Sequence, residues 1–137
     1  MQQIPRLDEI LQSQQARREM LDQVGVYFLR DIDDHEAERF SKSILLMSAI
    51  RQGTQSKDLT IYINSGGGSV GAGFAMMEML YKVKRDFGMR ITTIITGYAY
   101  SMGAIIFQAG DKRVMGHFST LMLHSPSWML SGEDHRI

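Results

Sequence analysis

At 137 residues, 44% hydrophobic and 22% charged, the chain can bury one core, is too short for two domains, and is too apolar to be largely disordered. Fifteen Lys and Arg balance fifteen Asp and Glu, so the charge calls for neither a nucleic acid nor an anionic membrane as partner. The absence of cysteine excludes a disulfide framework, thiolate metal sites and a cysteine nucleophile. The first twenty residues lack the apolar core of a signal peptide, and no stretch approaches the length of a membrane span. A cytoplasmic protein is the expectation. The methionines read as adaptable packing residues.

Residues 7–24 are charged and Gln-rich with loosely spaced apolar positions, which suits a peripheral helix, and residues 1–25 are expected to form an N-terminal helical arm. The apolar run Val26-Tyr27-Phe28-Leu29 reads as a buried strand opening the main domain, residues 26–137. Asp33 and Glu36 have the spacing of a capping box, after which Ala37, Phe40, Ile44 and Met47 recur at helical spacing. A polar loop from Gly53 to Asp58 leads to Leu59, Ile61 and Ile63, which alternate with Thr60 and Tyr62 as a strand ending at Asn64. Gly66-Gly67-Gly68 opens the next helix, whose stripe reads as Val70, Phe74, Met77 and Leu80–Tyr81. Arg90 to Thr96 is β-branched and reads as a strand, followed by a turn through Ser101 into an apolar helix, Ala104 to Ala109. Short strands are expected near residues 113–115 and 120–123, with His124 directly after the second. Strands alternating with helices predict an α/β fold with a mainly parallel sheet. In such sheets functional groups gather beyond the carboxyl ends of the strands. The glycine cluster, Ser101 and His124 all sit there.

Ser101 lies on a strand-to-helix turn with Ala99 and Gly103 two residues away on either side, a small-residue frame similar to a nucleophile elbow. The start of a helix also offers free N–H groups and a positive dipole end to a developing oxyanion. The alternative is that Ser101 is an ordinary N-cap. His124 is the natural base for a serine hydroxyl, although a lone histidine is more often structural. His35, His117 and His135 read as surface residues. The run Gly66-Gly67-Gly68-Ser69-Val70-Gly71 fits G-x-G-x-x-G, but Asp86, the candidate ribose-binding acid, precedes a strand instead of ending one. No Lys-Ser/Thr pair follows the glycines, which excludes a Walker loop. The loop can instead line an oxyanion hole or hold a peptide backbone, or it can simply be a tight turn. The charges at Asp33, Asp34, His35, Glu36 and Glu38 suit helix capping better than metal ligation, so no metal site is expected.

Together these motifs resemble the proteolytic subunit of the caseinolytic (Clp) protease. The resemblance is carried by LTIYINSGGGSVGAG at Leu59–Gly73, TGYAYSMGAIIFQAG at Thr96–Gly110, Lys112–Arg113, and LMLHSP at Leu121–Pro126, in the family's order and near its spacing. It covers roughly residues 26–130. It implies a crotonase-like repeated ββα spiral and a Ser-His-Asp peptidase inside stacked heptameric rings, fed with unfolded chains by an ATP-driven unfoldase and needing no cofactor. By position, Ser101 is the nucleophile and His124 the base. The amides of Gly68 and Met102 form the oxyanion hole, and Gly66, Gly67, Ser69 and Ser125 contact the substrate. Two departures stand out. The family usually has proline where Gly66 stands. Its triad aspartate lies far downstream of the histidine, and Asp134 is too close to His124 to be its counterpart. The chain is therefore expected to be a fragment of a longer subunit. The readings from other classes are an inactive structural ring subunit, a crotonase-like acyl-thioester enzyme, and a nucleotide binder.

Overall fold

The computed structural model describes residue 4 and residues 6–125, with the side chains of residues 16–23 outside the description. Its elements are α1 (Leu7–Gln23), β1 (Val26–Leu29), α2 (Asp34–Gln52), β2 (Asp58–Ser65), α3 (Val70–Phe87), β3 (Arg90–Tyr100), α4 (Met102–Phe107), β4 (Lys112–Met115) and β5 (Thr120–Met122). The five strands form one sheet, every pairing parallel, in the order β1-β2-β3-β4. β5 takes up pairing with β3 at Tyr98–Tyr100, beyond the stretch that β4 occupies. Each crossover between the first three strands is a helix, as parallel pairing requires.

The core lies between one face of this sheet and helices α2 and α3. Leu59, Ile61 and Ile63 of β2, and Ile91 and Ile95 of β3, alternate inward and are fully buried against Phe40 and Ile44 of α2 and Met76 and Leu80 of α3. Asp33 caps α2 by accepting from the Glu36 N–H at 2.7 Å. Only this half of the expected capping box forms, because the Glu36 carboxylate accepts instead from the Tyr27 hydroxyl.

Besides β1, expected to be buried but burying only Leu29 and exposing Phe28, two elements differ from the sequence-based expectation. On α3 the core face is Ala72, Gly73, Met76, Leu80 and Val83, whereas Val70, Phe74 and Tyr81 are about half exposed. Leu80 is buried and Met77 packs on the core as expected, but the start of the stripe is misplaced because the helix approaches α4 closely there. A Cβ on Gly73 would collide with the Met102 side chain, so small residues, Ala72 and Gly73, occupy the first turn of the buried face. The second difference is β3, which continues through Gly97 to Tyr100 and absorbs most of the expected turn. It does so across an irregularity: Ile63 pairs with Ile95, but Ser65 pairs with Ala99. Asn64 fills the gap, its Oδ1 accepting from the Tyr98 N–H at 3.3 Å over the space that Gly97 leaves open.

Candidate active site

The end of β3 turns into α4 at Ser101, whose backbone has φ 53° and ψ −118°. It is the only non-glycine with positive φ among the described residues. Such conformations cost on the order of 1–3 kcal/mol and persist only where the surroundings enforce them. Here the Ser101 N–H donates to the Met122 carbonyl at 2.9 Å, and its carbonyl accepts from Ala104 and Ile105 at 3.0 and 3.2 Å. The hydroxyl caps nothing. An ordinary N-cap has extended backbone and spends its side-chain oxygen on the first turn, so Ser101 is not an N-cap of that kind. Ser69 is: its Oγ accepts from Ala72 N–H at 3.2 Å and starts α3.

The glycine loop lies directly against this turn. A Cβ on Gly67 would stand 2.9 Å from both Ser101 Cβ and the Tyr100 carbonyl oxygen, and Gly67 also has φ 97°. Gly68, at φ 154°, runs against Ile32, where a Cβ would collide with the carbonyl oxygen. The flanking amides are committed inward: Gly67 N–H donates to Ser65 Oγ at 3.1 Å, and Ser69 N–H donates to Ile32 O at 2.8 Å. Between them, the Gly68 N–H has no hydrogen-bond acceptor among the described residues. Met102 is the first residue of α4, where backbone N–H groups lack intrahelical acceptors. Gly66 differs from its neighbours. Its φ is not left-handed, and a Cβ there would meet only Tyr98 Cε2 at an ordinary 3.7 Å.

Ser101 and His124 line one cleft of about 200 Å³, walled by Val70, Phe74, Met102, Ile105 and Leu123. The His124 ring is exposed, and its Nδ1 lies 2.7 Å from the Ser125 carbonyl oxygen. A carbonyl can only accept, so Nδ1 carries the proton and the Nε2 lone pair is left for a proton from elsewhere. No hydrogen bond joins His124 to Ser101 among the described residues. Asp134, His135 and Pro126 lie outside the described residues. Asp86 sits within α3, not at a strand end. Its carboxylate is held near a pKa of about 2 by Arg85 and then Lys82, at 2.9 and 2.7 Å. The acid of the dinucleotide reading is thus an ion-paired group on a helix surface. Of the charged cluster at the start of α2, Asp33 is the cap and Glu36 the partner of Tyr27.

The sequence matches the Clp protease family over residues 8–137. The chain is a member of the Clp protease family. Across 121 residues it is 34% identical to ATP-dependent Clp protease proteolytic subunit 2 of Thermobifida fusca, covering 87% of this chain and 56% of that protein. Against proteolytic subunit 2 of Bacillus licheniformis the identity is 37% over 105 residues, 75% of this chain and 52% of the relative. A solved structure of a ClpP1 mutant from Listeria monocytogenes superposes with a TM-score of 0.66 at 28% identity, covering 81% of this chain and 61% of that one. The α/β architecture with its parallel sheet is therefore that of the Clp proteolytic subunits, as the sequence motifs imply. This Clp family chain spans about half the length of the curated relatives it matches.

Sequence reasoning missed the cleft walls of this Clp family member. Val70 and Phe74 were assigned to the core stripe of α3, yet their exposure beside the core face is what leaves them free to line the cleft. The signal was present: an apolar helix with one stripe too many has a second face to account for.

Proposed function

We propose that this chain carries the nucleophile, the base and the oxyanion amides of a serine endopeptidase subunit of the Clp type. The observation that carries the reading is Ser101: a strained residue with an unused hydroxyl, at an apolar cleft that His124 also lines. In this mechanism His124 Nε2 removes the Ser101 proton as Oγ attacks a peptide carbonyl carbon. The carbonyl oxygen becomes an oxyanion held by the Gly68 and Met102 amides. The imidazolium then gives its proton to the leaving amine, the peptide C–N bond breaks, and water activated by the same imidazole releases the acyl group from Ser101. Val70, Phe74 and Ile105 favour an apolar substrate side chain in the cleft. The substrate is an unfolded polypeptide lying along Gly66–Ser69 and Ser125 as an added strand. Two amides of that loop already serve internal bonds, so Gly68 has the amide best suited to a substrate group.

The larger assembly belongs to the same proposal: a cytoplasmic homo-oligomeric ring of seven subunits, working with an ATP-driven unfoldase. No helix among the described residues is long and apolar enough to cross a membrane. The deciding test is Ser101→Ala in the subunit expressed to its natural stop codon. Peptide hydrolysis and labelling by a serine-directed fluorophosphonate should both disappear with folding intact, a rate loss of about 10⁴-fold or more. Near-normal turnover by that variant sinks the assignment.

A further inference from the structure

Ser65 immediately precedes the glycine loop. Its side chain is fully buried at the end of β2, one of three buried polar residues among those described. Ser48 and Thr93 have local structural tasks, donating to the Ile44 and Phe107 carbonyls. Ser65 differs, because its Oγ accepts from the N–H of Gly67, in the loop that lies against the Ser101 turn. On its other side Ser65 abuts α4: a Cβ on Gly103 would stand 3.1 Å from Ser65 Cβ and 3.3 Å from Oγ. One small hydroxyl thus touches both halves of the site, the glycine loop and the helix that follows Ser101.

We infer that Ser65 is a positioning residue whose hydroxyl fixes the direction of the Gly68 amide. Consecutive amides in the loop alternate. Gly67 is drawn inward by Ser65 Oγ and Ser69 by the Ile32 carbonyl, and Gly68 between them is left unpaired. The Ile32 anchor is backbone, so Ser65 is the side chain by which the sequence sets this turn. Glycines at φ 97° and 154° have no Cβ to restrict them, and without the Ser65 acceptor one of the two hydrogen bonds flanking the Gly67–Gly68 peptide is lost. A donor displaced by about an ångström loses much of its value to a transition state, because the energy lies in preorganisation. The inference rests on the oxyanion role proposed above for Gly68.

The test compares Ser65→Ala, Ser101→Ala and the parent in the subunit carried to its natural stop codon, using a fluorogenic peptide and amide hydrogen exchange at Gly67. Ser65→Ala should lower kcat by about 10- to 100-fold with KM nearly unchanged, and should weaken inhibition by a peptide aldehyde in parallel. Gly67 exchange should quicken while exchange in β2 and β3 stays as in the parent. If the alanine variant does not fold, Ser65→Cys fills the site with a slightly larger side chain that is a much weaker acceptor, and the same split of kcat from KM is read there. Faster Gly67 exchange with kcat within twofold of the parent overturns the Ser65 role while Ser101→Ala remains dead. Turnover persisting in Ser101→Ala overturns the catalytic reading, and the Ser65 role with it.

Discussion

The three adjacent glycines in the loop before α3 are not equivalent, and substitution should separate Gly66 from Gly67 and Gly68. At Gly66 the φ is ordinary and a Cβ has room against Tyr98, so Gly66→Ala should fold normally. By restricting the unfolded chain it should raise stability by about 0.4–1 kcal/mol. At Gly67 and Gly68 the left-handed φ alone costs an L-residue about 1–2 kcal/mol, and a Cβ collides with backbone or Ser101 besides. Both alanine variants should melt lower and lose peptide hydrolysis disproportionately, which thermal unfolding beside a steady-state assay will resolve. Equal melting points across the three would refute this division. At this scale the sequence pointed to two residues at strand ends, Ser101 and His124, and the structure brings both to one cleft. Ser65 was not legible, because its importance comes from one acceptor contact and one close packing, neither of which leaves a pattern in the sequence.

Among the elements, α4 is short and apolar, and its placement depends on what holds its two ends. The Ser101 turn fixes the start. At the far end Lys84 of α3 donates to the Ala109 carbonyl and pairs with Asp111 at 3.2 Å, while Asp111 also accepts from the Ile91 N–H at 2.8 Å. Desolvation pushes the Asp111 carboxyl up, but the Ile91 amide and Lys84 outweigh it and hold its pKa below the usual value. A carboxyl lowered in the folded state contributes stability above its unfolded pKa of about 3.9, and that contribution disappears as pH falls through the lower folded value. Asp111→Asn should therefore be less stable than the parent at neutral pH, with the gap closing below about pH 4. Urea unfolding at a series of pH values measures it, and a gap that stays constant into acid would contradict it. Element existence and order were readable from periodicity, since β2, β3 and α2 each carry one clean pattern. The face of α3 and the true length of β3 were not. Both depend on close approaches, Gly73 on Met102 and Gly97 on Asn64, that tertiary packing imposes where local pattern is silent.

At the scale of the molecule, the proposed nucleophile and base sit beside much exposed apolar surface. Met115, Leu121, Met122 and Leu123 are more than a third exposed, and Phe118 is 95% exposed, all along β4, β5 and their connection. Phe28 on β1 is 74% exposed, stacked on Tyr62. Parallel sheets are ordinarily covered on both faces, and apolar exposure on this scale marks a surface that another segment or subunit covers. Among the described residues the proposed base also has no carboxylate partner. His124 has a tautomer suited to a base, but the partner of its Nδ1 is the neutral Ser125 carbonyl, which orients the ring without a charge to stabilise an imidazolium. In a comparable triad, replacing the carboxylate by a neutral group costs about 10⁴-fold in kcat. This chain should therefore hydrolyse a fluorogenic peptide at least about 10³-fold more slowly than the proteolytic subunit 2 of Bacillus licheniformis assayed beside it. The chain should also associate, eluting above its monomer mass of 15.5 kDa in light-scattering chromatography. Comparable turnover by the two proteins would mean that Ser101, His124 and a backbone carbonyl suffice. A chain that is both slow and strictly monomeric would uphold the neutral partner of His124 but refute the exposed strands as an association surface.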